Sequence, residues 1–81
     1  LSNISIYPNP SSGLFTVEFN KVFDNNSNIL IVNSIGDVIF SEELKIGETS
    51  KQINLSNFSK GIYLIELQTE IGIYNKKIIL K

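Results

Sequence analysis

The sequence of 81 residues contains no His, Cys, Met or Trp, and it also lacks Arg and Ala. Without imidazole or thiol groups, the chain has neither the commonest general base nor a thiolate nucleophile, and it cannot build a zinc site from Cys and His. Without Arg it lacks the two-pronged grip on phosphate or guanine, and a formal net charge of −1 does not attract nucleic acid. We therefore expect no enzyme activity, no cofactor, no metal site and no nucleic-acid partner.

The residues that are present favour strands over helices. Ile is the commonest residue, and hydrophobic residues make up 42% of the chain. Helices are built mainly on Ala, Leu, Glu and Lys, whereas β-branched and aromatic residues fit a pleated surface. A chain of 81 residues has room for one hydrophobic core. We therefore predict one all-β domain over residues 1–81.

The start of the chain and its hydropathy bear on its origin. The first residue is Leu1 rather than Met, which predicts a domain excised from a larger protein. No stretch approaches ~20 continuous apolar residues, so we expect no transmembrane segment. No basic segment followed by an apolar run is present, so a signal peptide of an exported parent would lie upstream.

Turn-forming residues divide the chain into seven apolar runs. Gly supplies positive φ, Pro fixes φ, and Asn and Asp tolerate left-handed backbone, so clusters of these residues mark turns. The predicted strands are residues 4–7, 14–19, 28–33, a fourth that begins at 36 or 37, 51–55, 61–69 and 73–80. This spacing is typical of a sandwich or small barrel. We predict an immunoglobulin-like antiparallel β-sandwich, with a partly open barrel as the alternative.

The alternation of apolar and polar residues indicates which side chains face the core. Phe15, Val17 and Phe19 form the clearest half-buried strand, and the third run is apolar on both faces, as in a central strand. In the later strands Val38 is predicted to share one face with Phe40, Ile53 and Leu55 to face inward, and Tyr63 to share one face with Ile65 and Leu67.

Two strands have a less regular pattern. The last run mixes apolar and charged residues in both phases, which predicts a bulge near Lys76 and Lys77. The adjacent acids Glu42 and Glu43 predict that the fourth strand frays into solvent. Because adjacent strand residues point to opposite faces, these two carboxylates cannot act together on one bond.

Three other groups of residues were weighed as sites. Residues 24–28 place Asp or Asn at alternate positions but lack the Gly and Glu of a calcium-binding loop, so we predict a polar turn and no metal. Tyr7, Tyr63 and Tyr74 with Phe15 could stack on sugars, although sandwich cores use aromatic residues in the same way. Tyr63 also fits the tyrosine corner of sandwiches, in which the hydroxyl bonds back to nearby backbone.

Four segments form an ordered pattern along nearly the whole chain. They are Tyr7-Pro8-Asn9-Pro10 with Gly13 and the strand after it, the strand–Gly–strand hairpin of residues 31–39, the segment 58–67 around Gly61-Ile62-Tyr63, and the basic-then-aliphatic ending Lys76-Lys77-Ile78-Ile79-Leu80-Lys81. This ordered set resembles the C-terminal sorting domain of the type IX secretion system (type A).

The resemblance implies a seven-stranded immunoglobulin-like sandwich at the C-terminus of a secreted Bacteroidota protein. It implies a non-catalytic signal that is recognised by an outer-membrane translocon and its shuttle protein and then usually removed by a surface sortase. The cargo upstream would pass through the periplasm and reach the cell surface or the medium. The alternative function is a carbohydrate-binding or adhesive module of a secreted enzyme, and a structural spacer is a further alternative.

The resemblance also implies roles for particular residues. The recognition region by family position is Gly61, Tyr63, Lys76, Lys77, Ile78, Ile79 and Lys81. The family motif with a structural role is Tyr7, Pro8, Asn9, Pro10 and Gly13. The last strand, with its lysines and the terminal carboxylate of Lys81, suits strand addition or carboxylate capture, whereas edge lysines can also simply block unwanted pairing.

Overall fold

Seven β-strands make up the regular structure of the computed structural model, which describes residues 4–19, 27–70 and 72–81. In chain order they are β1 Ile4–Tyr7, β2 Leu14–Phe19, β3 Ser27–Val32, β4 Val38–Leu44, β5 Ser50–Asn54, β6 Gly61–Thr69 and β7 Gly72–Leu80. These ranges contain no helix of the length and hydrophobicity that a membrane span requires.

The strands pair into two antiparallel sheets. The three-stranded sheet has the order β1-β2-β5, and the four-stranded sheet has the order β4-β3-β6-β7. This arrangement is the predicted immunoglobulin-like β-sandwich. The barrel alternative is wrong, because the strands form two sheets instead of one continuous ladder.

The hydrophobic core lies between the inner faces of the two sheets. Its members are Ile4, Phe15, Val17, Phe19, Ile29, Ile31, Leu44, Ile53, Leu55, Tyr63, Ile65, Leu67, Ile78 and Leu80. The alternation predicted for β2, β5 and β6 is confirmed, since each of their predicted inward residues belongs to this set. The doubly apolar β3 lies between β4 and β6, as a central strand should.

β4 differs from its prediction in two respects. The pairing with β3 shifts between Ile31–Phe40 and Val32–Val38, which is a β-bulge. Because of this bulge, Ile39 and Phe40 both pack against the core, while Val38 is 54% exposed and does not share the inward face with Phe40. The strand also does not fray at its acidic residues, because it stays paired as far as Leu44, which is buried.

A charged cluster joins the two sheets at the edges formed by β4 and β5. The Lys51 Nζ lies 2.7 Å from Oε2 of Glu42 and 3.3 Å from Oε2 of Glu48. The hydrogen bond to Glu42 raises the pKa of Lys51. The backbone N–H of Lys45, which donates to Oε1 of Glu48 at 2.9 Å, is the main cause that lowers the pKa of Glu48. Glu42 therefore forms an ion pair with Lys51 that links the two sheets of the sandwich.

Candidate functional site at the C-terminal strand

β7 is the last strand of the four-stranded sheet and carries four of the seven residues predicted for recognition. It pairs with β6 in one uninterrupted register from Gly61–Leu80 to Thr69–Gly72, so the predicted bulge near Lys76 and Lys77 is wrong. A regular strand keeps strict alternation, and the even-numbered residues face inward. Ile78 and Leu80 are buried there, whereas Lys76 stays exposed at the margin of the core.

The outer edge of β7 is covered by the segment that follows β1. The side chain of Asn9 acts like the backbone of a neighbouring strand, because its Nδ2 donates to the Lys77 carbonyl at 3.0 Å and its Oδ1 accepts from the Ile79 N–H at 3.1 Å. The Ser11 N–H donates to the Ile79 carbonyl at 2.8 Å, and the Lys81 N–H donates to the Ser11 carbonyl at 2.9 Å. We call residues 8–11 the edge segment.

Ser11 anchors the edge segment inside the sandwich. It is 2% exposed, and its hydroxyl donates to the Leu14 carbonyl and accepts from the Gly13 N–H, both at 2.9 Å. Gly13 lies so close to the loop between β5 and β6 that a Cβ on Gly13 would be 2.6 Å from the Cα of Ser56 in that loop. Its carbonyl accepts from the Leu55 N–H at 2.7 Å. Only glycine fits between the edge segment and this loop.

The edge segment changes how the tail can be recognised. In a paired edge strand the outward N–H and C=O groups come from every second residue. In the last part of β7 these groups belong to residues 77, 79 and 81, and Asn9 and Ser11 already bond four of them. Strand addition along residues 77–81 would therefore first require the edge segment to leave.

Replacing Asn9 tests this contact directly. We expect Asn9→Ala to lower the free energy of unfolding by about 1–2 kcal/mol, because two hydrogen bonds to β7 are lost at a solvent-exposed site. The local signature is faster hydrogen exchange at the Ile79 amide, measured by NMR. Asn75→Ala, at an exposed position on the same strand, is the matched control. Unchanged protection of the Ile79 amide in Asn9→Ala would contradict the assignment.

The start of β6 holds the second group of predicted residues. The Tyr63 hydroxyl donates to the Ser59 carbonyl, which confirms the predicted tyrosine corner. Tyr63 is 6% exposed and lies opposite Ile78, and Gly61 lies opposite Leu80. Gly61 and Tyr63 are therefore paired with residues of β7 inside the four-stranded sheet. Tyr63 and Ile78 are both core residues.

The accessible part of the predicted recognition region is basic. Lys76, Lys77 and Lys81 are all exposed. Among the residues that the structure describes, their ammonium groups form no ion pair, in contrast to Lys51. Lys76 and Lys77 project to opposite faces of the sheet, so they cannot contact one flat surface together. Lys77 lies on the outer face with Ile79, which is 39% exposed.

The aromatic platform is not present as an exposed row. Phe15 and Tyr63 are buried, and Tyr74 is half-buried against the core. Tyr7 is 47% exposed, and partial desolvation together with the Glu18 carboxylate raises the pKa of its hydroxyl. Of these four aromatic residues, only Tyr7 lies outside the core and its margin.

Metal ligands do not gather anywhere in the described ranges. No group of three or more His, Cys, Asp or Glu side chains comes together there. Of the polar turn predicted at residues 24–28, residues 24–26 lie outside the described residues, Ser27 is buried at the start of β3, and Asn28 is exposed.

Sequence reasoning missed two features of this site. Ser11 was not singled out, although it follows the second proline of the motif and is a buried polar residue. The covering of β7 by Asn9 was also missed, because no local pattern indicates a contact across 68 to 70 residues.

Comparisons with known proteins give matches over this same length of chain. Residues 5–81 match the secretion system C-terminal sorting domain. The chain is also 33% identical over 81 residues to an endo-acting ulvan lyase of Formosa agariphila. That match covers 99% of this chain but only 15% of the lyase.

Proposed function

Because this chain belongs to the family of secretion system C-terminal sorting domains, which are signals for type IX secretion, we propose that residues 1–81 form a single sorting domain that follows an exported cargo. The relative supports this organisation, since the matched segment is a small part of a much longer enzyme. The chain acts as a signal for export to the cell surface or the extracellular space. The cargo itself is a separate part of the parent protein.

The proposed route has three partners. The parent passes through the periplasm, a shuttle protein and the outer-membrane translocon recognise the sorting domain, and a surface sortase then removes it. A compact sorting domain suits this order of events, because the secretion machinery can recognise a folded domain while the cargo is still in the periplasm. The sandwich supplies such a domain without cysteine, and each of its seven strands contributes at least one residue to the core.

The proposed recognition residues are Gly61, Tyr63, Lys76, Lys77, Ile78, Ile79 and Lys81. Their positions support two different roles. Tyr63 and Ile78 are buried, so they hold the tail in place from inside the core. Lys77, Ile79 and Lys81 are exposed and are available for contact with a partner. The edge segment around Asn9 fixes their backbone and so keeps these side chains in a defined arrangement.

The observation that carries the proposal is the extent of the family match. It runs through the edge segment, the tyrosine corner and the basic tail, which the fold brings into contact with one another. A carbohydrate-binding role would need exposed aromatic side chains, and two of the four candidates are core residues.

The test is an export assay with a fluorescent cargo. The chain is fused behind a signal peptide and a fluorescent protein and expressed in a Bacteroidota strain, either intact or deleted for the type IX translocon. We expect fluorescence in the medium or on the cell surface of the intact strain only. The variant Lys76→Gln/Lys77→Gln should reduce this export several-fold, whereas Lys45→Gln, at an exposed lysine on the β4–β5 turn, should not.

Two outcomes would overturn parts of this proposal. Retention of a folded fusion in the intact strain would reject the sorting role. If export requires the translocon but is unchanged in Lys76→Gln/Lys77→Gln, the sorting role stands and these two lysines are rejected as recognition residues.

A further inference from the structure

The outer face of the four-stranded sheet is divided into an apolar half and a polar half. In antiparallel sandwiches the solvent-facing side chains are normally polar. Here the half of the face near the end of β7 is apolar, and we call it the apolar half-face. Its members are Val32, Val38, Ile62, Leu64 and Ile79.

The members of the apolar half-face are direct neighbours across the strands. Ile79 lies opposite Ile62, and Leu64 lies opposite Val32, which in turn lies opposite Val38. Directly opposite side chains in an antiparallel pair have Cβ atoms about 4.5–5.5 Å apart, so the five side chains form one continuous surface. Val38 and Ile62 are each 54% exposed, and Ile79 is 39% exposed.

The other half of the same face has a different composition. Asn28 pairs with Gln68 and with Glu43, and Glu66 pairs with Asn75. Gln68 donates a hydrogen bond to Glu66 at 2.9 Å. The exceptions are Leu30, which is half-buried opposite Glu66, and Ile73, which is 60% exposed at the far end of β7 opposite Gln68.

The fold does not require apolar side chains on this half. Thr has the same branching at Cβ as Val and Ile and a similar preference for strands, and it would expose less hydrocarbon to water. A contiguous apolar patch on the surface of a small domain marks an interaction site more often than scattered apolar residues do. The concentration of apolar residues on one half of the outer face therefore indicates a surface that binds another molecule.

Charge around the apolar half-face indicates what kind of partner fits. Lys77 lies opposite Leu64, Lys81 follows Ile79 by two residues, and Lys60 directly precedes β6. The acidic residues beside the apolar half-face within the described ranges are Asp37, just before Val38, and Glu66, two residues after Leu64 on the same face. A second copy packed face to face with its β7 over this β7 would bring lysines against lysines. A surface with acidic residues around an apolar centre would be complementary.

We propose that the apolar half-face is the surface by which the domain docks on a protein component of the secretion machinery, and that the partner surface is apolar with an acidic rim. This inference rests on the proposed function. It places the contact on the open face of the sheet, with Val32 and Leu64 at its centre and Val38 and Ile62 as their more exposed neighbours, and not on the edge of β7. Lys77 and Ile79 then belong to the same surface as residues from three other strands.

The double variant Val38→Thr/Ile62→Thr tests the surface without touching the tail. Both residues are exposed, and Thr keeps strand preference, so the domain should remain folded. In the fluorescent export assay we expect export to fall about tenfold, because buried apolar anchors carry most of the affinity of an interface. The matched control is Ile46→Thr/Ile73→Thr, which changes two equally exposed apolar residues outside the surface. It should be exported like the unaltered domain.

Folding and contact are measured separately. Thermal unfolding followed by circular dichroism must give both double variants similar midpoints. A photoreactive side chain at position 62 should cross-link to an outer-membrane protein in the intact strain but not in the translocon-deleted strain, and one at position 28 in the polar half should not. Lys77→Glu should weaken the cross-link at position 62 several-fold, since it places an acid against an acidic rim.

The possible results separate this inference from the proposed function. Failure of the unaltered fusion to be exported rejects the function itself. Normal export of Val38→Thr/Ile62→Thr, in a strain that exports the unaltered fusion through the translocon, rejects the docking surface alone. A cross-link from position 62 to a second copy of the chain, or a stronger cross-link in Lys77→Glu, rejects the acidic-rimmed partner.

Discussion

Ile78→Ala is expected to remove a large part of the free energy of unfolding of the domain, although Ile78 lies only three residues before Lys81. Ile78 is fully buried opposite Tyr63. Truncation of a buried Ile to Ala costs about 2–5 kcal/mol, from lost burial and from the cavity that remains. A domain of 81 residues has a free energy of unfolding of roughly 4–12 kcal/mol, so the loss is a large fraction of the total.

The neighbouring residue supplies the control for this prediction. Ile79 lies on the outer face and is 39% exposed, so Ile79→Ala should lower the free energy of unfolding by no more than about 1 kcal/mol. Urea unfolding followed by circular dichroism measures both variants. Equal losses would show that the tail is not divided into a core-facing and a solvent-facing row. A loss of export in Ile79→Ala with stability retained would instead place Ile79 in the contact with a partner.

Gly13→Ala should be similarly damaging, for a reason that lies in the backbone. Gly13 has a φ of +136°, and its added Cβ would lie 2.6 Å from the Cα and 2.9 Å from the N of Ser56. Backbone atoms cannot swing away as a flexible side chain can, so the loop around Ser56 or the edge segment must move. We expect a loss of roughly 2–6 kcal/mol from strain and overpacking together.

Gly47→Ala separates the two causes of this loss. Gly47 also has a positive φ, +87°, but a Cβ there would meet nothing within 4 Å. It should cost about 1–2 kcal/mol, from backbone strain alone. Chemical denaturation of both variants, with hydrogen exchange at the Leu55 amide that bonds to Gly13, measures the difference. Equal losses would contradict a steric role for Gly13.

Much of the fold could be predicted from the sequence because it follows from local patterns. The period-two alternation in Phe15, Val17 and Phe19 and the doubly apolar third run determine which faces are buried, and turn residues mark where strands end. β4 was predicted less well, because its bulge depends on the pairing with β3 and not on its own residues. The same limit applies to β7, where Lys76 on the inward phase suggested an irregularity, although the long side chain reaches solvent from a regular strand.

The sequence indicated the segments of the candidate site but not how they are arranged in space. The resemblance identified the motif around Asn9 and the basic tail as separate segments, and nothing in the sequence indicated that one covers the edge of the other. That contact depends on the topology, which places β1 and β7 on adjacent edges of different sheets. The apolar half-face was missed for a similar reason. Val38, Ile62 and Ile79 are far apart in sequence, and they become neighbours only through the register of four strands.

The bonds between Asn9 and β7 also have a consequence for the timing of biosynthesis. They join residues 68 and 70 positions apart, and β7 contributes Ile78 and Leu80 to the core. Sandwiches dominated by such distant pairings fold in milliseconds to seconds, more slowly than helical proteins of this size. A ribosome product that stops before residue 77 lacks both the partner groups of Asn9 and these two core residues. The sandwich can therefore close only after translation has passed residue 80. Chains that stop earlier lack the strand β7 that completes the four-stranded sheet and its outer face.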